Sequence, residues 1–574
     1  MIRILKQQIP LNYNTLYHLA LFLLMGSIPL SKYTTSMSQM GLAALWLWHG
    51  VNTAYLKNLS PKDLLNPVNL IKFLGKSLME IWLAFVRKLK TFFSNKPAVV
   101  IASMYVMLIA GLLWTTDMHY ALKDLRTKLP LLILPLFLST GPEVNTRTLN
   151  WMLTGFGLAL LGGTIYRLVL LLNLPVADSR NISAHVSHIR FSLNLVLGMF
   201  SLLYIARKRF FSSARINLLL VLLASWFMAF MVYMQYDTGV VITIIVTIFI
   251  AFISAFRQSG LRSRIILIVA SLIILLVPVI YVLSVIHEFR TVKPVYFLQL
   301  DQYTQNGNRY THDTTNFVIE NGKYPGLYIC DKELRSGWNR RSSIPFDSLD
   351  HKKQLLRSTL IRYMASKDLR KDSVGLCALD SKDIGVIESG IANSKSTSGF
   401  NIKTQIYNYL IAYRNYRLLG DPNAGTLVQR LEYWRTSLLI FSKHPIIGVG
   451  TGDLPAAFDK QYDEMKSPLK PEYRKRSHNQ YLSTLVAFGI LGFIWFIFSL
   501  VYPPVKLRGF RHYYFVVFYL VAMISMVSED TIESQEGVTF FVFFTCLFLL
   551  AWSDVKQKAE KMIETQEPES TLSA

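Results

Sequence analysis

Residues 265–286 read IILIVASLIILLVPVIYVLSVI, without one charged side chain. A helix gains ~1.5 Å per residue and the hydrocarbon core of a bilayer is about 30 Å thick, so some 20 apolar residues suffice to cross it. This stretch is long enough, and it is not alone. Working outward, comparable runs lie at 14–31, 37–56, 98–114, 129–140, 149–173, 191–206, 215–234, 238–256, 480–502, 512–528 and 537–552. The run at 129–140 is the weakest, because it is short and interrupted by Pro130 and Pro135. The first run has no small-residue cleavage site after it, so it is expected to be a membrane helix rather than a cleaved signal. The expectation is an all-α polytopic membrane protein of about twelve transmembrane helices.

Composition agrees. The 574 residues are 52% hydrophobic and 17% charged, with mean hydropathy +0.33; soluble domains carry about 25% charged residues. The net charge of +24 would suggest nucleic acid in a soluble protein. Here no basic groove interleaved with aromatics is visible, and much of the charge lies in short loops between apolar runs.

Those loops orient the chain. The segment 57–96 is rich in Lys and Arg and mixes them with apolar residues, as a helix lying on an anionic leaflet would. The loops RKRFFSSAR (207–215), RQSGLRSR (257–264) and KLRGFRH (506–512) follow. Counting spans puts all four on one side, which the positive-inside rule makes the cytoplasm. Both termini then lie inside, and 115–128, 174–190, 235–237, 287–479 and 529–536 lie outside.

Four regions result: a membrane region at 1–286 with about nine spans, a loop domain at 287–479, a second membrane region at 480–552 with three spans, and a polar tail at 553–574 expected to be disordered. Inside the loop domain, PVYFLQL (294–300) and GLYIC (326–330) look like strands. The stretches 347–366, 401–418 and 425–442 have helical periodicity. A small α+β domain is expected from about 295 to 400, inserted before the tenth span. It is mildly basic, which points to an anionic ligand. Cys330 and Cys377 both fall in it and are candidates for a disulfide if the compartment is oxidising. Cys546, in an apolar run, is expected to be inert, and no zinc spacing occurs.

The chemistry-bearing residues cluster around the return to the membrane. His478, in SHNQYL at 477–482, stands at the outer mouth of a helix and follows Arg474, Lys475 and Arg476. It is suited to general base work, and neighbouring cations favour its neutral form; the alternative is a polar helix start. Arg430 and Arg435 flank Trp434 on a helix. Paired guanidinium groups suit a pyrophosphate because they offer fork-shaped donors and keep their charge; the alternative is interfacial snorkelling. Arg190 opens the sixth span, and Arg167 lies within the fifth, where charge is costly and usually faces a polar cavity. Asp237, at the start of the eighth span, is a candidate to neutralise one of them. The acidic loop SEDTIESQE (528–536) is either a solvated face or the partner of these groups. The glycines of PIIGVGTGD (445–453) follow a helix and precede no Walker lysine, so a turn allowing close backbone approach is expected rather than a nucleotide cradle.

Taken together, SHNQYLSTLVAFGILG (477–492), Arg430 with Trp434 leading to HPIIGVGTG (444–452), and HIRFS (188–192) resemble the O-antigen ligase and polymerase superfamily. The chain departs from that family's pattern at Gln235–Gly239, where a Ser-Arg-Gly-like element is common, and its 295–400 stretch is longer. The resemblance implies an inverting, metal-independent glycosyltransferase of the bacterial inner membrane with no cofactor. Its site would face the periplasm. The donor would be a glycan on undecaprenyl pyrophosphate, and the acceptor lipid A–core, another glycan or a protein. By motif, His478 takes the catalytic role, and Arg430 and Arg190 hold the pyrophosphate; Arg435 and Arg167 are further candidates for that role. The competing functions are an O-antigen polymerase, a protein O-oligosaccharyltransferase and, in another class, a polysaccharide transporter or an envelope assembly factor.

Overall fold

The computed structural model describes residues 13–48, 67–173, 185–256, 260–291, 295–296, 299–313, 322–394, 402–423 and 425–554. The second half of the 37–56 run, residues 57–66 and the tail from 555 lie outside the described residues.

The helices in chain order are α1 (Tyr13–Ser27), α2 (Lys32–Trp48), α3 (Pro67–Ser94), α4 (Lys96–Ala110), α5 (Met118–Lys128), α6 (Pro130–Thr140), α7 (Thr146–Asn173), α8 (His188–Arg207), α9 (Ala214–Tyr233), α10 (Asp237–Phe256), α11 (Leu261–Arg290), α12 (Asp331–Trp338), α13 (Leu356–Ser366), α14 (Ser373–Cys377), α15 (Ser381–Glu388), α16 (Ile402–Leu419), α17 (Thr426–Lys443), α18 (Leu454–Glu464), α19 (Gln480–Lys506), α20 (Tyr513–Ser528) and α21 (Gln535–Cys546). Each expected span coincides with a helix. Among the described residues, seven helices are long and apolar enough to cross a membrane, and the apolar helices 513–528 and 535–551 are shorter. The protein is a multi-pass membrane protein. Length and composition support seven spans by themselves, against the twelve expected.

The chain forms two units, 1–259 with 430–467 and 471–574, and 260–429 with 468–470. In the first, α8 lies at the centre, packed by α7, α9, α10 and α20. It can be buried on nearly every side because its residues are apolar or small all round, from Phe191 to Ile205. Lipid is as apolar as leucine, so close packing rather than hydrophobic drive holds such helices together. Gly198 meets Leu160 and Phe227, and Gly157 meets Leu202. A ladder of rings from Phe518, Phe540, Phe544 and Phe548 closes the other side.

α19 is broken. Gly489 has φ +61° and ψ −165°, so its helix stops and restarts. The freed backbone groups find partners in the 445–450 loop. Val449 N donates to Val486 O at 3.0 Å and Gly450 N to Ala487 O at 2.8 Å, while Ile490 N donates to Pro445 O at 2.9 Å. Non-helical backbone at membrane depth survives only where protein satisfies it in this way. The glycines of 445–453 are thus a close-approach device. A Cβ on Gly448 would stand 2.5 Å from Phe488 N.

In the second unit α11 presents an apolar surface over most of its length (Ile265, Leu272, Val277, Ile280) and packs with α16. The expected α+β domain is instead helical: no strand forms among the described residues, only isolated bridges such as Ile329 with Thr311 and with Lys371. The strand-like GLYIC stretch contains Tyr328 at φ +57°, in the left-handed region, and that breaks the extended repeat before a ladder can propagate. Of PVYFLQL only residues 295–296 and 299–300 are described, and they form no strand. A core of Leu334, Trp338, Phe346, Leu356, Leu360, Met364 and Ile387 joins α12, α13 and α15. The expected 347–366 helix starts at Leu356, because Asp350 turns the chain by accepting from Lys352 N (2.9 Å) and Gln354 N (3.0 Å). Leu355, just before that start, is exposed. Cys330 is buried, Cys377 exposed, and the two are not bonded.

Candidate functional site

The acidic loop after α20 is not a solvated face. Glu529, Asp530 and Glu536 are each less than 10% exposed, at 6%, 8% and 5%. Glu529 is the junction. Its Oε1 accepts from Arg430 Nη2 at 2.8 Å, and its Oε2 lies 3.4 Å from His478 Nδ1. Burial raises the Glu529 carboxyl, but the His478 hydrogen bond and the Arg190 and Arg430 charges outweigh it, so the group lies below its ordinary value.

Asp530 holds the chain around His478. Its Oδ1 accepts from Ser483 Oγ (2.7 Å), Asn479 N (3.1 Å) and Ser477 Oγ (3.2 Å). Asn479 in turn caps α19 by accepting from Leu482 N at 3.1 Å. Pinned on both sides, His478 takes φ +44°, which costs a non-glycine residue about 1–3 kcal/mol. Its ring faces Tyr433 with centroids 5.7 Å apart, and its side chain remains 38% exposed. Tyr433 is fixed by donating to Tyr473 O at 2.7 Å.

Arg190 enters from α8. Its Nη2 donates to Asp530 O at 2.6 Å, while its buried Nη1 makes no hydrogen bond. Gly537 allows this approach: a Cβ there would stand 3.1 Å from Arg190 Nε.

Arg190, Arg430 and His478 therefore converge on Glu529 and Asp530. The other two arginine candidates do not join them. Arg435 is exposed, 3.8 Å from Glu432. Arg167 lies 3.5 Å over the Phe191 ring and donates to Val186 O at 2.9 Å, so it braces the turn from which α8, and with it Arg190, begins. The cations preceding His478 also point elsewhere. Arg474 pairs with Asp463 at 2.7 Å and Arg476 with Glu533 at 3.2 Å, leaving a carboxylate as the charged partner of the histidine.

Beside this site lies a buried ionic network that sequence reasoning missed. Lys128 contacts Asp124 at 2.9 Å and Glu533 at 2.8 Å, and Glu533 also accepts from Arg476 and from Gln480 Nε2 (3.2 Å). Lys128 sits on α5, in a segment expected to be a plain connection. Only its i,i+4 spacing from Asp124 hinted at a pair. The network lines a cavity with Tyr120, Thr484 and Phe488. Glu533, Arg430, His478 and Arg190 come from loops that span counting places on one side, and the structure brings those loops together.

Residues 384–497 are similar to the family model described as O-antigen ligase. The match includes Arg430 and His478. No curated protein matches the chain.

Proposed function

We propose that this protein is an O-antigen ligase-like glycosyltransferase of the inner membrane. It moves a glycan from undecaprenyl pyrophosphate to a hydroxyl of lipid A–core at the periplasmic face. The observation that supports this reading is the single carboxylate, Glu529, joined to both Arg430 and His478, with Arg190 beside it.

Glu529 takes the Nδ1 proton of His478 as a hydrogen bond, which selects the tautomer whose Nε2 is a free base. That nitrogen accepts the proton of the acceptor hydroxyl as its oxygen attacks the anomeric carbon. The bond from that carbon to the pyrophosphate oxygen breaks, and the leaving group keeps the electron pair. Inversion follows from direct displacement. Arg430 and the unfilled Nη1 of Arg190 supply fixed positive charge where the leaving group gains negative charge. Pyrophosphate is already a good leaving group, so positioning, a base and charge stabilisation suffice, and the proposed transfer is metal-independent.

The test is transfer by purified protein in detergent from a lipid-pyrophosphate-linked glycan, with lipid A–core, free repeat unit and a protein offered as acceptors. Wild type transfers to lipid A–core, and His478→Ala loses at least about 100-fold. Preference for the repeat unit or the protein would reassign the enzyme as a polymerase or a protein O-oligosaccharyltransferase. Equal transfer by His478→Ala would remove the base.

A further inference from the structure

The second unit contains a cleft of about 390 Å³, within the range of small-molecule sites. Tyr296, Tyr324, Tyr328, Lys323, Arg370 and Lys371 line it. Lys371 is the unusual member. It is 4% exposed, yet among the described residues its ammonium has no hydrogen-bond or ion-pair partner. Its backbone is pinned, with N donating to Tyr328 O at 3.0 Å and O accepting from Cys330 N at 2.8 Å. The two carboxylates near enough to attract it are engaged elsewhere. Asp368 pairs with Lys323 at 2.6 Å, and Asp372 accepts from Gly375 N at 2.8 Å and from the Tyr310 hydroxyl. Burial pulls the Lys371 amine down to about 8 against the pull of those carboxylates. A nearly buried amine is normally paired or neutralised.

The rest of the cleft fits a flat, hydroxylated ligand. Tyr296, on the rim, is 72% exposed, and its ring stacks on no other ring among the described residues. Tyr328 is held edge-on by Tyr310 and His312, with Arg370 4.6 Å over its face. Arg370 is itself paired with Asp301 and Lys323 with Asp368, so among the described lining residues Lys371 is the cation left to meet an anion. Phenol rings offer apolar faces with a hydroxyl at the end, which suits a pyranose that has one apolar C–H face and a polar rim.

We propose that this cleft binds an acidic sugar, a pyranose bearing a carboxylate, with the carboxylate on Lys371 and the ring face against Tyr296. Binding at this cleft stands apart from the transfer reading, since it requires neither donor nor base. Isothermal titration of the full-length protein in detergent tests it, with digalacturonate, maltose and inorganic phosphate as probes. Digalacturonate binds at least tenfold more tightly than maltose or phosphate. Lys371→Met and Tyr296→Ala each weaken it at least tenfold, and His478→Ala leaves it unchanged. Equal binding of maltose, equal binding of phosphate, no binding of digalacturonate, or an unchanged Kd in both variants would each overturn the proposal. A melting curve checks the fold of Lys371→Met, and the exposed Tyr296→Ala decides the matter if that variant does not fold.

Discussion

Gly489→Ala should damage this protein far more than the loss of one hydrogen atom suggests. The residue sits at φ +61°, ψ −165°, a region open essentially to glycine alone. A Cβ there would collide with the Ile446 carbonyl carbon and oxygen and stand 2.5 Å from Ile447 N, all rigid backbone. The conformational strain is about 1–3 kcal/mol. Relieving the collision means moving the 445–450 loop off α19. That endangers the crossing bonds from Val449, Gly450, Ile490 and Leu491, at 3.0, 2.8, 2.9 and 3.3 Å. Each is worth about 1 kcal/mol net, and its loss leaves a backbone group unsatisfied. If half are lost, the total reaches about 3–5 kcal/mol. The assay is the thermal midpoint of purified protein in detergent, with Gly162→Ala as the control. At Gly162 an added Cβ meets nothing within 4 Å, so alanine should be neutral or stabilise the helix by up to about 1 kcal/mol. Gly489→Ala should lose several degrees or fail to accumulate as a monodisperse peak. It should also lose glycan transfer, because the loop ties the helix bearing Arg430 to the helix that His478 precedes. A Gly489→Ala midpoint within about 1 °C of wild type would refute the clamp.

Three further outcomes follow from the site. Glu529→Gln should lower kcat at least about tenfold and also lower the melting midpoint, because the His478 tautomer and the buried Arg430 charge pair both lose their partner; wild-type kinetics would show that Glu529 is a bystander. Arg190→Lys should weaken transfer at least about tenfold, since a compact ammonium lacks the fork that holds Asp530 O on one nitrogen and aims a separate nitrogen elsewhere, whereas the exposed Arg435→Ala should stay within about twofold in the same assay. Glu533 is held down to about 2, where burial would raise it but Lys128 and Arg476 prevail. A lowered carboxyl contributes stability that is present above its unfolded value near 4.5 and lost as pH falls toward about 2. The wild-type midpoint should therefore drop between about pH 5 and 3. Glu533→Gln should melt lower at pH 7, by the 3–5 kcal/mol typical of breaking a buried pair, and should respond less to acid.

Seven of the twelve expected spans were legible, because long uncharged runs such as 265–286 have few ways to be soluble, whereas shorter helices such as 513–528 and 535–551 do not reach spanning length on their own. The 295–400 region was less so. Five-residue apolar runs suit a strand or a packed turn equally, and the left-handed Tyr328 that decides the matter carries no signal in its own identity. The glycines of 445–453 were readable as a close approach, but their partner Gly489 lies some forty residues on, and only the fold pairs them. Arg167 was readable as a costly charge at membrane depth. That it braces a turn, rather than facing Glu529, depends on the position of Phe191 across the helix pair. The cations before His478 were in plain view, yet adjacency in sequence misled, because Arg474 is drawn to Asp463 and Arg476 to Glu533.

Glu529 and Asp530 show why adjacent carboxylates are needed in the outer loop. Asp530 spends its acceptor on the backbone and hydroxyls of 477–483, and so fixes where the chain carrying His478 goes, including a left-handed residue that the chain would not adopt unaided. Its main-chain oxygen receives Arg190. Glu529 spends both oxygens on side chains, one on Arg430 and one on His478. Position and charge are therefore set by different residues. Removing Asp530 should displace His478 and Arg190 together, while removing Glu529 should leave both near their places but electrostatically unmatched. The chain thus brings two arginines and a histidine, on α8, on α17 and before α19, to one corner through two consecutive acids on a turn that sequence alone makes look like a solvated loop.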